Sequence, residues 1–371
     1  MARQWMRMGC ISALLVALAA PAMAQIKIGQ TAGFTGPVAA GVKEITDGAK
    51  LYLDAVNARG GIGGQKIELV SLDDKFTPKL AAENASKLIG QGVVALFLTR
   101  GTPHSQAVLP LLTEHKLAVV APSTGAMALH QPVHPWVFNV RATYQREAER
   151  AVQHLFLIGM QRIAVIQVDD SFGADAATGA LRGFASQKKS PAVHVKYDRT
   201  KPDLAPLIPK VVQSDAQAVL FIGSGTTVAE GVAQLRAAGS RAQIVTLSNN
   251  ASSGFVKSLG DHARGTIVSQ VFPYERSLGA PIVKEAHDLL QARGGGELTP
   301  AMLEGFSAAK VLVEGLRRAG KDLSRAGLQR ALEGMRRVDI GGLEVSYGPD
   351  DHTGLDYAEL SIIGADGRFK R

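Results

Sequence analysis

Short apolar runs of strand character alternate with segments of helical period along almost the whole chain, and this order limits the accessible folds more than any other feature. Ile26, Lys27 and Ile28 begin a strand. After it Ile45, Ala49, Tyr52 and Val56 fall on one helical face, and Arg59-Gly60-Gly61 stops that helix. A strand over 66–72 follows, then a helix over 79–89, an apolar strand over 93–98, a helix broken near Pro110 and a strand over 117–121. A βαβα order of this kind predicts parallel strands with helices covering both sheet faces.

After a strand over 136–140 the pattern repeats. Helices are expected over 145–158, 174–186, 203–213 and 228–238, with strands over 162–168, 192–197, 218–222 and 243–247. Beyond a strand over 265–271 come helices over 282–292, 299–319 and 324–333, then strands over 343–347 and 358–363 that read as a terminal hairpin. At 371 residues the chain exceeds one hydrophobic core. The fold class is α/β, with two Rossmann-like lobes built on parallel-rich sheets.

The first 24 residues read as a cleavable secretory signal. Arg3 and Arg7 precede the apolar run 11–20, followed by Pro21 and the small-residue site Ala22-Met23-Ala24. That run is too short to span a bilayer, and no later stretch approaches the length required, so the protein is not expected to be membrane-spanning. Cys10, the single cysteine, would leave with the leader. No thiol then remains for disulfides, metal ligation or nucleophilic catalysis. The formal charge of +8 falls to +6 once Arg3 and Arg7 are removed, 39 basic against 33 acidic residues. With no Lys/Arg block interleaved with aromatics, nucleic acid is not expected as a partner.

Several motifs that suggest chemistry lose it on inspection. The glycine-rich turn Gly29 to Pro37 has neither dinucleotide spacing nor a P-loop lysine, so no cofactor is expected. Adjacent residues on a strand point to opposite faces, so Asp73-Asp74 is read as capping and hydrogen bonding rather than as an acid/base pair. His130 and His134 have metal-like spacing, but Pro132 and Pro135 place them in a loop. No Gly-x-Ser-x-Gly elbow is present, no catalytic residue is assigned, and the chain is not expected to be an enzyme.

The loops after strands carry more. Thr99-Arg100-Gly101-Thr102-Pro103-His104-Ser105 and Ala121-Pro122-Ser123-Thr124-Gly125-Ala126 cluster hydroxyls and backbone N–H groups where helices begin, a seat suited to a carboxylate. Arg100 adds a guanidinium fork with the geometry to grip one. Phe172, between Ser171 and Gly173 at a strand end, offers an aromatic wall.

The stretch from Gln25 to Asp74, QIKIGQTAGFTGPVAAGVKEITDGAKLYLDAVNARGGIGGQKIELVSLDD, resembles the opening of the type I periplasmic solute-binding proteins, the Leu/Ile/Val-binding family. The resemblance extends over nearly all of the chain beyond the leader. It implies a hinge and a central cleft, with three crossings near Arg141, Phe272-Pro273 and Tyr347. The lobes would be 25–141 with 273–346 and 142–272 with 347–371. It also implies a periplasmic, cofactor-free protein that traps a small-molecule solute, an amino acid or another organic carboxylate, and delivers it to an ABC permease of the inner membrane.

Carried over from the family, carboxylate binding falls on Gly101, Thr102, Ser123, Thr124 and Gly125, and Phe172 takes the place of an aromatic that closes over the ligand. Tyr144 is a second candidate wall. Where the family supplies an acid for the ligand's ammonium, this chain reads Leu247-Ser248-Asn249-Asn250, leaving Ser248 as a polar contact. Burying an ammonium without a counter-charge is costly, so either Asp169 or Asp170 replaces the acid or the solute has no amine. A family tyrosine after the strand 218–222 is also replaced, near Gly225. The competing functional classes are a ligand-sensing adaptor for a membrane receptor and a secreted hydrolase.

Overall fold

A computed structural model describes residues 25–371; the leader and Cys10 lie outside the described residues. The chain begins β1 (Ile26–Ala32), α1 (Ala39–Ala58), β2 (Ile67–Asp73), α2 (Pro78–Gly90), β3 (Ala95–Phe97), α3 (Thr102–His115), β4 (Ala118–Val120) and β5 (Val137–Phe138). Their sheet has the order β2-β1-β3-β4-β5, and every pairing is parallel. The predicted face of α1 is the one buried, and Tyr52 meets the Phe306 ring edge-on at 5.2 Å. The expected break at Pro110 does not occur. Pro110 sits on the exposed side of a continuous α3, where the missing N–H costs one bond but no buried donor is stranded.

The second series runs α4 (Tyr144–Leu157), β6 (Ile163–Val168), α5 (Ser171–Ser186), β7 (His194–Tyr197), α6 (Ile208–Gln213), β8 (Ala218–Ile222), α7 (Gly225–Ala237), β9 (Gln243–Thr246), α8 (Ser253–Leu259) and β10 (Ile267–Gln270). Three helices follow, α9 (Pro281–Ala292), α10 (Pro300–Ala319) and α11 (Arg325–Glu333). The short strands β11 (Val338–Asp339), β12 (Glu344–Val345), β13 (Glu359–Ile363) and β14 (Phe369–Lys370) complete the chain. The second sheet has the order β14-β13-β10-β9-β8-β6-β7. It is parallel except at β13, which runs antiparallel to β10 and β14.

The terminal segments depart from the expected hairpin. β12 pairs with β11, and β13 joins the second sheet, so the two predicted strands never meet. Packing explains the separation: Val345 and Tyr347 belong to the first hydrophobic core, with Phe97, Phe138 and Phe306, whereas Ile363 and Phe369 belong to the second, with Phe184 and Phe221. The Tyr347 hydroxyl donates to the Asn139 carbonyl at 2.6 Å, and Leu355 also packs in the first core. Packing therefore changes beyond Leu355, later than the expected crossing at Tyr347.

Candidate functional site

Parallel strands point their carboxyl ends the same way, and ligands of such sheets collect beyond those ends. A small cleft cavity of about 20 Å³ lies where the ends of the two sheets face one another. Its wall takes Val38 from the loop after β1, Phe76 after β2, and Arg100, Gly101 and Thr102 after β3. Across from them stand Phe172 after β6, Arg199 after β7, Ser224 after β8 and Asn249 after β9, with Tyr144 at the crossing. Seven strands thus contribute through the loops and helix starts that follow them. A recess of about 250 Å³, which includes Pro37, Ala40, Asn249 and Phe255, also reaches Arg100.

On the first wall, two carboxylates set the turn that carries Phe76. Asp73 accepts from the N–H of Thr35 and Lys75 and from the Thr35 hydroxyl, and Asp74 accepts from the Phe76 N–H at 2.9 Å and from Thr31. Burial pushes the Asp74 carboxyl up to about 6. The Phe76 ring stacks on His104 at 4.3 Å, and neither nitrogen of that buried imidazole has a partner. Burial pushes His104 down to about 4, so it is neutral near pH 7.

Gly101 precedes α3 with φ of +94°, and a Cβ there would come within 2.7 Å of His104 Nδ1. Only glycine meets both demands. Thr102 and Thr124 share a hydrogen bond of 2.7 Å between their hydroxyls. Ser123 donates to Glu304 at 2.6 Å and accepts from Arg100 Nη1 at 2.8 Å.

On the second wall, the Phe172 ring meets Tyr144 edge-on at 4.7 Å. Asp170 accepts from the Gly173 N–H at 3.0 Å, capping α5, and pairs with Arg199, whose guanidinium lies 4.9 Å from the centre of the Phe76 ring across the cleft. The lobes are closed upon one another. Arg100 Nη2 donates to the Asn249 carbonyl at 2.7 Å, and Glu44 of α1 accepts from the N–H groups of Ser253 and Gly254 and from the Ser253 hydroxyl at the start of α8. Gly254 permits that approach, since a Cβ there would lie 2.3 Å from Ala40 Cβ.

Behind the cavity, at the first crossing, Arg141 is fully enclosed. Its guanidinium contacts Glu147 and the Ser248 hydroxyl, lies 3.9 Å from Glu304 and sits 4.6 Å from the centre of the Tyr144 ring. Glu147 also accepts from the Ser248 N–H and the Ser269 hydroxyl.

A family model described as periplasmic binding protein matches residues 25–361. The chain is a type I periplasmic binding protein of the Leu/Ile/Val-binding family. The Leu/Ile/Val-binding protein homolog 3 of Brucella melitensis is 26% identical over 346 residues, 90% of each chain. Among solved structures, a substrate-binding periplasmic protein from Ralstonia solanacearum is 31% identical with a TM-score of 0.86, covering 93% of this chain and 99% of its own. An extracellular ligand-binding receptor from Verminephrobacter eiseniae is 30% identical with a TM-score of 0.82, covering 94% and 100%. The family consists of periplasmic solute-binding proteins that are not enzymes. No described helix is long and apolar enough to cross a membrane.

In this periplasmic binding protein the residues singled out from sequence divide into two groups. Arg100, Gly101, Thr102, Tyr144 and Phe172 line the cleft cavity. Ser123, Thr124, Gly125, Asp170 and Ser248 do not line it; they stand behind the walls, their polar groups bound to other protein groups. Gly125, for example, offers its carbonyl to the Tyr144 N–H at 2.8 Å, fastening the loop to the crossing. Asp169, one of two suggested ammonium partners, pairs instead with Lys196 at 3.1 Å on the surface. Val38, Phe76, Arg199, Ser224 and Asn249 were not anticipated. Their shared signal is position just beyond a parallel strand, which marks a residue whatever its side chain.

Proposed function

We propose that this chain is the extracytoplasmic capture component of an ABC uptake system, trapping a small carboxylate-bearing solute by closure of its two lobes. The lobes are 25–141 with the segment from 273 to Leu355, and 142–272 with the chain beyond it, and the protein works in the periplasm after loss of residues 1–24. The observation that carries this reading is the meeting of both lobes over one cavity whose walls follow parallel strand ends. A solute touching both walls favours the closed form over the open one, and that difference in affinity is what a permease can read.

In this reading Arg100, Gly101 and Thr102 receive the carboxylate, with Ser123, Thr124 and Gly125 holding their loop in place. Tyr144 and Phe172 cover the solute body, while Asp170 and Ser248 brace the second wall. The Leu/Ile/Val-binding names of relatives support an amino acid as the cargo, and the carboxylate seat alone admits another organic acid. Mass spectrometry of small molecules released on denaturing the purified protein identifies the solute, and its radiolabelled uptake is expected to fall when the gene is deleted. Undiminished uptake, with loss of a transcriptional or chemotactic response, would favour a sensory adaptor.

A further inference from the structure

We infer that the solute is an organic carboxylate without an amine, selected by Arg100 acting as a buried cation that has no acid of its own. The inference rests on the solute-capture reading and narrows its cargo. Arg100 is 4% exposed, yet no carboxylate of the described residues lies within ion-pair distance of it. Its recorded partners are neutral: the Ser123 hydroxyl and the Asn249 carbonyl. A buried charge is tolerated when paired and is costly when it is not. The nearest acid, Glu304, reaches Arg100 only through the Ser123 hydroxyl and also lies 3.9 Å from Arg141, so Arg100 has no carboxylate of its own in direct contact, and it borders both the cleft cavity and the adjoining recess.

An ammonium needs the opposite, and nearby acids are otherwise engaged. Asp170 holds Arg199 and caps α5; Glu147 and Glu304 surround Arg141; Glu44 caps α8. Asp73 and Asp74 are used in the Phe76 turn, and Asp169 lies on the surface with Lys196. Glu230 lies in a separate outer recess beside Lys75 and Arg199. No acid lines the cleft cavity, whereas two guanidiniums do. Asn249, which also lines the cavity, is neutral and cannot balance an ammonium set among cations. Phe76, Tyr144 and Phe172 in the cavity, and Pro37, Ala40 and Phe255 in the recess, accommodate an apolar body.

Matched triplets test this directly: leucine, 2-hydroxy-4-methylpentanoate and 4-methyl-2-oxopentanoate, and the corresponding phenylalanine, phenyllactate and phenylpyruvate. Calorimetric titration of the native protein, stripped of solute by denaturation and refolding, is expected to give amine-free members at least about tenfold tighter binding than the amino acid of the same skeleton, or about 1.4 kcal/mol. Arg100→Gln should abolish the rise in melting temperature caused by the preferred acid while shifting the melting temperature of the unliganded protein only slightly in either direction; Arg100→Lys should retain part of the rise. Leucine or phenylalanine binding as tightly as its amine-free partners overturns the inference and leaves solute capture standing. An Arg100→Gln variant that keeps the full acid-induced rise also overturns it. If no solute is released from the native protein, no member of either triplet binds at millimolar concentration, and gene deletion leaves uptake unchanged, the capture reading itself fails.

Discussion

Arg100 and Arg141 are the two buried arginines among the described residues, and their surroundings are opposite. Arg141, at the crossing, is set between Glu147 and Glu304, with the Ser248 hydroxyl completing its contacts. Burial opposes its charge, yet Tyr144 and the two glutamates hold its pKa above the ordinary value. Arg100, at the cleft wall, meets a hydroxyl and a carbonyl instead. A buried cation enclosed by acids joins the two lobes as structure, whereas one with no acid in direct contact, at the edge of the cleft cavity and its recess, is poised for an anion from outside.

The largest expected effect tests the structural half of that contrast. Arg141→Ala strands Glu147 in a dry site, and urea unfolding should register a loss of about 3–5 kcal/mol. Next is the histidine beneath the first wall. The folded value of His104, about 4, lies below its ordinary 6.5. Between those limits the unfolded chain binds a proton that the native chain does not, so this residue makes stability fall as pH drops from about 6.5 to 4. His104→Leu should flatten that acid limb by up to about 3 kcal/mol, read from melting curves across the interval.

Smaller effects separate closure from folding. Glu44→Ala removes the cap that α1 places on α8, so the released solute should bind with about 1–2 kcal/mol less affinity. Calorimetry reads that loss, and the unliganded melting temperature should hardly move, because the contact joins lobes rather than filling a core. The smallest change is expected from Arg100→Gln without solute, about 1 kcal/mol in either direction by urea titration, since the loss of its hydrogen bonds to Ser123 and Asn249 is offset by relief of a buried charge with no acid in contact. A loss there comparable to that of Arg141→Ala would erase the distinction between the two arginines.

Much of the architecture was legible because periodicity is local. Buried faces such as Ile45, Ala49, Tyr52 and Val56 follow from helical spacing, and the βα alternation leads to parallel sheets. The terminal hairpin was misread for a related reason: 343–347 and 358–363 both have strand character, but each strand's partner depends on which core its apolar residues enter. At the site, hydroxyl-rich loops drew attention to Ser123 and Thr124, whose side chains the fold uses internally. Phe76 and Arg199 passed unnoticed because their one mark is position shortly beyond a strand, which no side-chain type announces.

By itself, then, the sequence determined the alternation of elements, the glycine-opened loops and the family to which the chain belongs, all of which depend on short-range pattern. Tertiary structure alone decided which strand-end residue turns into the cleft and which hydroxyl is already taken. Ser123 finds Glu304 at a separation of 181 residues, and Arg100 finds Asn249 at 149. The lack of an acid beside Arg100 belongs to the same class of fact. Every glutamate and aspartate is visible in the sequence, but Coulombic pairing depends on distance in space, so only the folded chain reveals which cation they leave unmatched.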